Sequence, residues 1–468
     1  IPEALTFRLS LPEPPSRYTA RRGGRRMPTY DLIVAGGTVV NQDGIGPADI
    51  GVRSGRIAAI GDLSRADAGE RIDAVGLHVL PGVIDSQVHF REPGAEAKED
   101  LESGARAAVL GGVTTVFEMP NTSPSTTTPE ALADKVARGR ARMACDFAFF
   151  FGATPGNAET LAEAERLEGC AGIKMFMGSS TGDLLVSETE DVRRVLANGR
   201  RRVSVHSEDE ARLRARASLR VPGDPSSHPV WRDPEAARMN TERLIRLARE
   251  TGRRINVLHI STKEELPLLA AAKDVASCEA TPHHLTFDGD EAYPRLGTLV
   301  QMNPPVRDAS HRDAIFRALR EGLFDVIGSD HAPHEREAKA KEYPDTPSGM
   351  PGVQTLVPVM LTHVAEGRLT LQRFVDLTSH GPQRVFGIAG KGRIALGWDA
   401  DLTLVDLSAR RVIEDGWIAS KCRWTPYAGM EAKGWPVAAV VRGRAVMRED
   451  EILLPRGGEP VRFVEALS

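Results

Sequence analysis

The stretch DSQVHFREPG, residues 85–94, follows the apolar run VLPGVI. On a strand, Asp85, Gln87 and His89 alternate and point to one side. A strand end that presents such side chains is suited to a metal ion. Zinc favours imidazole over a neutral amide oxygen, so a zinc-type site calls for His at both Gln87 and His89. Other residues of the same character end apolar runs further along: His206 in VHSED, His259 in HIST, Asp330 in SDHAPH, and Lys174 in GIKMFMGSS. Taken singly, such a histidine is a hydrogen-bonded structural residue and such a lysine a solvated charge. Their recurrence at the same end of successive strands is what points to metal-assisted chemistry. Lys174 is the odd member, because an ammonium repels a metal. It can serve only if made anionic, and reaction with CO2 to a carbamate would supply two oxygens able to bridge two metals.

Residues so far apart in sequence need a frame that gathers strand ends. Eight short apolar runs alternate with helical patterns: VIDSQVHF, TTVFEMPN, DFAFFFGAT, GIKMFMGSS, RVSVHSED, INVLHIST, VASCEATPHH and DVIGSDHAPH. This α/β alternation predicts a (β/α)8 TIM barrel over residues 83–385, with His89, Asn121, Lys174, His206, His259 and Asp330 at the strand ends where such barrels place catalysis. Between the strands, EDLESGARAAVLGG ends in a Gly-rich stop. TPEALADKVARGRARM offers Thr128 as a cap and Pro129 at the first helical position, and TKEELPLLAAAK offers Thr262 as a cap. From Tyr30 to about Leu80 the pattern is strands and turns only, and GRIALGWDADLTLVDL and AAVVRGRAVMRED repeat that style near the other end. Residues 27–82 and 386–468 are therefore expected to join in one small β-sandwich domain. Residues 1–26, rich in Arg and Pro, read as an upstream or non-native extension, disordered, with Met27 as the natural start. The rival reading is a targeting peptide, against which stand the acids and prolines of the stretch.

Composition excludes several classes. A net charge of −4 gives no case for nucleic acid as a partner, and no apolar stretch is long enough to span a bilayer. Cys145, Cys170, Cys278 and Cys422 are scattered without a CxxC pair and read as reduced thiols of a cytoplasmic protein.

The stretches PGVIDSQVHFREPG, EDLESGARAAVLGGVTTVFEMPNTSP, GIKMFMGSSTG, VHSED, HIST, MNPPVR, SDHAPH and GRIALGWDADLTLVD run over most of the chain from about residue 30 to about 410. In them the chain resembles the cyclic amidohydrolases, most of all dihydroorotases of the longer, bacterial type I kind. The resemblance implies reversible hydrolysis of (S)-dihydroorotate to N-carbamoyl-L-aspartate in de novo pyrimidine synthesis, with Zn2+ as cofactor, one or two ions per subunit. It implies that His89 binds the first metal, that N6-carboxylated Lys174 bridges both, and that His206 and His259 bind the second. Asp330 would bind the first metal and act as proton shuttle. A metal-bound hydroxide would attack the ring amide carbon, since a metal lowers the pKa of its bound water.

Arg91 in FREPG can grip a substrate carboxylate through two parallel hydrogen bonds. The alternative is a structural ion pair with Glu92 or Asp100. The resemblance adds Asn121 and His334 to the grip and Asn303 to the ring. Allantoinases, hydantoinases and dihydropyrimidinases resemble the chain too, but allantoinases and hydantoinases usually lack an arginine at this position. His283 and His284 in TPHH have no metal role in the family pattern and read as supporting or structural. The Gly/Pro-rich loop 341–355 is either a lid offering backbone groups between Gly349 and Gly352 or a plain connection.

The family pattern is His-x-His where this chain has Gln87-x-His89. Three outcomes are open. Gln87 coordinates through its amide oxygen and weakens the first site; it does not coordinate, leaving one tightly held metal; or catalysis is lost and the barrel serves as a non-catalytic subunit, for example beside aspartate transcarbamoylase. Retention of Lys174, His206, His259, Asp330 and Arg91 favours an active enzyme. The resembled family is commonly homo-oligomeric, as dimers or tetramers.

Overall fold

The computed structural model describes residues 29–178 and 184–466; the readings of residues 1–26 and Met27 lie outside them. The apolar runs form the strands Val83–Val88 (β1), Val113–Glu118 (β2), Asp146–Gly152 (β3), Cys170–Phe176 (β4), Val203–His206 (β5), Ile255–Val257 (β6), Ala276–Ala280 (β7) and Val326–Ile327 (β8). Every residue in them is buried, as expected of parallel strands covered on both faces. They form one eight-stranded sheet in sequential order. A parallel bridge from Val88 to His331, with the His89 N–H donating to the His331 carbonyl at 2.7 Å, joins the last strand's extension to the first. The result is a (β/α)8 barrel.

Helix starts follow the local chemistry. Asp100 and Ser103 form a reciprocal capping box ahead of Leu101–Leu110, and Thr128 accepts from the Ala131 N–H at 3.2 Å ahead of Pro129–Arg142. Thr262 differs from expectation. It accepts from the Glu264 N–H at 3.0 Å within a turn, and the helix begins only at Leu266, so it does not cap that helix.

Strands near both chain ends build two further sheets. Tyr30–Ala35, Asp49–Arg53, Arg56–Gly61 and Ala68–Asp73 make a four-stranded sheet. In the seven-stranded sheet, His78–Pro81 from the early chain pairs antiparallel with Leu402–Val412, Leu404 opposite Val79. Leu32, Val34, Ile50 and Val52 meet Val79, Leu402, Leu404 and Val440 between the sheets, a sandwich core in which each large aliphatic side chain contributes about 1.5–3 kcal/mol. Val461 and Phe463 of the C-terminal tail pack with Phe117, Phe150 and Phe386 beneath the barrel, on the side away from the strand ends that carry the site residues. The four cysteines are buried free thiols, and among the described residues no helix is long and apolar enough to cross a membrane.

Candidate active site

A cavity of about 460 Å3 opens at the C-terminal ends of the barrel strands, and Gln87, His89, Arg91, Asn121, Lys174, His206, His259, Asn303, Asp330 and His334 all line it. Gln87 lies inside β1 and Lys174 inside β4, His206 ends β5, and the others follow their strands or lie in the loops beyond. Arg91, His259 and Asp330 have φ of 65°, 37° and 49°. Left-handed backbone costs about 1–3 kcal/mol at a non-glycine residue and gathers where side chains must be aimed at a site. Asp85 departs from the simple alternation. It does not line the cavity; its Oδ1 accepts from the Gln87 and Ser329 N–H groups at 3.2 and 2.9 Å and so ties the backbones before His89 and Asp330 together.

On one side of the cavity, His206 Nδ1 and His259 Nε2 stand 3.1 Å apart. His206 Nε2 donates to Glu208 Oε2 at 2.8 Å, and the Glu208 carboxylate also pairs with buried Arg232. Burial would raise the Glu208 carboxyl, but Arg232 and His206 hold it at about 2, so it stays ionised and turns the Nδ1 lone pair of His206 toward His259. Burial lowers the pKa of His89, His206 and His259, favouring the neutral form that ligates metals. Lys174 is buried over the Phe176 ring, with no carboxylate in ion-pairing range among the described residues. Burial pulls its ammonium down to about 7. A lysine held there has a ready neutral amine, the form that reacts with CO2.

On the other side, Asp330 Oδ1 accepts from Gln87 Nε2 at 2.9 Å and lies 3.2 Å from His89 Nε2. His89 Nδ1 lies 2.7 Å from Asn121 Oδ1, so Asn121 orients His89 as well as facing the cavity. Beneath the site, burial pushes Glu279 up to about 8, helped by the charges of Asp330 and Asp85, and burial pushes Asp85 up to about 7.

Arg91 is not the structural ion pair that its neighbours allowed. Glu92 pairs with Arg138 and Arg142, and Asp100 pairs with Lys421 and caps a helix. Arg91 Nη2 lies 3.4 Å from His334 Nε2, and its Nε is buried without a hydrogen bond. Burial lowers it only to about 10, so it remains a cation. Asn303 Oδ1 accepts from His228 Nε2 at 2.9 Å, which leaves its NH2 end to donate to a ligand. His283 and His284 stay outside the cavity: Thr281 Oγ1 binds both, and His284 Nε2 donates to the Pro304 carbonyl. Of the loop after β8, Pro347, Ser348 and Gly349 line the cavity. Two of its backbone donors are already engaged, Gly349 N–H with the Gln301 carbonyl and Gly352 N–H with His331 Nδ1.

Sequence reasoning missed Glu208, Glu279 and Lys98. Glu208 sits two residues after His206, and Glu279 interrupts the apolar strand ASCEA; a carboxylate in such a place signals a buried partner. Lys98 lines the cavity near Arg91, and nothing in its exposed-looking segment marked it.

Among the described residues no three His, Cys, Asp or Glu side chains already form a closed metal cage. The His206–His259 half nevertheless fits an ion. Two ligands of a tetrahedral zinc with bonds of about 2.0 Å lie about 3.3 Å apart. His259 Nδ1, on the same ring as Nε2, is buried without a hydrogen bond.

Residues 78–446 match the Amidohydrolase family. The chain is 40% identical over 400 residues to a dihydroorotase of Halobacterium salinarum, covering 82% of this chain and 93% of that protein. It is 36% identical over 456 residues to an allantoinase of Rubrobacter xylanophilus, covering 93% and 98%. Among solved structures, an L-hydantoinase (dihydropyrimidinase) from Arthrobacter aurescens superposes with a TM-score of 0.88 at 30% identity, over 93% of this chain and 100% of that one.

Proposed function

The chain belongs to the amidohydrolase family, and we propose that it is a metal-dependent dihydroorotase, interconverting (S)-dihydroorotate and N-carbamoyl-L-aspartate in pyrimidine synthesis. The observation that carries this choice is Arg91: a half-buried guanidinium on the cavity wall, its Nε buried without a hydrogen bond, with no carboxylate of its own among the described residues. Such a cation is suited to a carboxylate brought by the substrate, and a planar fork suits it better than an ammonium. Asn121 and His334 line the same cavity and complete the grip, and the NH2 group of Asn303 donates to a ring oxygen.

His206, His259 and carboxylated Lys174 would hold Zn2+. A divalent ion there supplies Lewis acidity, polarising the ring carbonyl and acidifying the attacking water. Asp330 is the base. Gln87 occupies its Oδ1, so Oδ2 is the oxygen that takes the water proton. Water oxygen bonds to the ring amide carbon, the carbon–nitrogen bond breaks, and Asp330 returns the proton to the departing nitrogen. The reverse closure uses the same groups.

The relatives named allantoinase and L-hydantoinase favour a second reading, a cyclic-amide hydrolase whose ring has no carboxylate. Zinc-loaded, bicarbonate-treated protein assayed on dihydroorotate, dihydrouracil, hydantoin and allantoin separates the two. Dihydroorotate turnover far above the others is expected. Turnover of a carboxylate-free ring with none of dihydroorotate would replace the proposal with the second reading, and no turnover of any ring would leave a non-catalytic barrel.

A further inference from the structure

The two halves of the cavity are unlike. In one, His206 Nδ1 and His259 Nε2 face each other at 3.1 Å, both rings buried, with Lys174 beside them on the cavity wall. In the other, a hydrogen-bonded set fills the corresponding space. Gln87, 1% exposed, donates from Nε2 to Asp330 Oδ1 at 2.9 Å, and His89 is fixed between Asp330 and Asn121. We infer that the chain carries one metal ion, held by Lys174, His206 and His259, and that Gln87 takes the place of a second by hydrogen bonding Asp330. This rests on the metal-dependent reading above and concerns the number of ions, not the ring attacked.

The physical case turns on the amide. A primary amide can present its NH2 or its oxygen to a given point, not both. With the NH2 on Asp330, the carboxylate oxygen that a second ion would need is already satisfied by a donor. Turning the amide to offer Oε1 would set an oxygen against that carboxylate and remove the donor. The return is poor, because a neutral amide oxygen is a weak zinc ligand beside imidazole. The hydrogen bond does for Asp330 what a second ion would do: it holds Oδ1 still and leaves Oδ2 to carry the proton.

The test is metal content. The full chain is stripped with chelator, reloaded with excess Zn2+ and bicarbonate, freed of loose ions by gel filtration, and measured by inductively coupled plasma mass spectrometry. The expected result is one ion per chain, rising to two in Gln87→His. Should that variant fail to fold, Gln87→Glu, nearly isosteric and anionic against Asp330, is also expected to rise to two. Co2+ titration of the stripped chain, followed by visible absorption, should break at one equivalent. Two ions in the unaltered chain, or no ion at all, would overturn the inference. So would a count unmoved by both substitutions. One ion without dihydroorotate turnover would leave this inference standing and remove the proposed function instead.

Discussion

Replacing Arg91 by Ala tests the substrate assignment most directly. The guanidinium is half-buried, and the nearest hydrogen-bonding group to it is His334 Nε2 at 3.4 Å, so its charge is free for a ligand. Truncating one member of a buried, hydrogen-bonded charge pair costs about 2–5 kcal/mol. Because the cavity opens to solvent we take about 3 kcal/mol, and at 1.36 kcal/mol per tenfold that weakens binding roughly 150-fold. Alanine at the left-handed Arg91 position, φ 65°, also costs backbone energy, but that cost falls on every ligand alike. The assay is therefore a comparison. Calorimetric Kd values are measured for N-carbamoyl-L-aspartate and for N-carbamoyl-β-alanine, which lacks the second carboxylate. Arg91→Ala should weaken the first roughly 150-fold and the second by less than about threefold, a change within 1 kcal/mol. Arg91→Lys, keeping the charge without the fork, should lose about tenfold for the first ligand. Equal losses for both ligands would refute the assignment of Arg91 to a substrate carboxylate.

Two further outcomes follow from the buried carboxylates. Glu208→Gln removes the anion that orients His206, and zinc affinity, read by competition with a chromophoric chelator, should fall about 10–100-fold; an unchanged affinity would make the Glu208–His206 contact incidental. Glu279 has a folded-state pKa raised from 4.5 to about 8, so its contribution to stability is full below pH 4.5 and declines as pH rises from 4.5 to 8. Stripped protein should therefore lose stability over that window, by at most about 1.4 kcal/mol per pH unit from this group, and Glu279→Gln should flatten the fall in chemical denaturation; identical slopes for the two proteins would contradict it.

Much of the barrel was legible because its causes are local. Uninterrupted apolar runs such as DFAFFFG become strands buried on both faces, and Thr128 with Pro129 starts a helix where its chemistry says one should start. The cavity-lining residues were legible for a related reason. A polar side chain that ends an apolar strand in a barrel has one place to go, the rim where all strands end. Thr262 was misread because the same Thr-x-x-Glu pattern serves a turn as well as a cap, and only the following backbone decides between them.

The sequence alone was enough to determine the class of fold, the strand ends that carry chemistry, and the oddity of Gln87. It could not say which way an amide faces, which acids lie beneath the lysine, or whether Arg91 is spoken for. Those are matters of partners far apart in the chain: Gln87 with Asp330, Asp85 with Ser329, Glu92 with Arg138 and Arg142. Tertiary structure decided them, because hydrogen bonds and buried charges depend on distances of a few ångströms between side chains whose spacing in sequence carries no trace of that proximity.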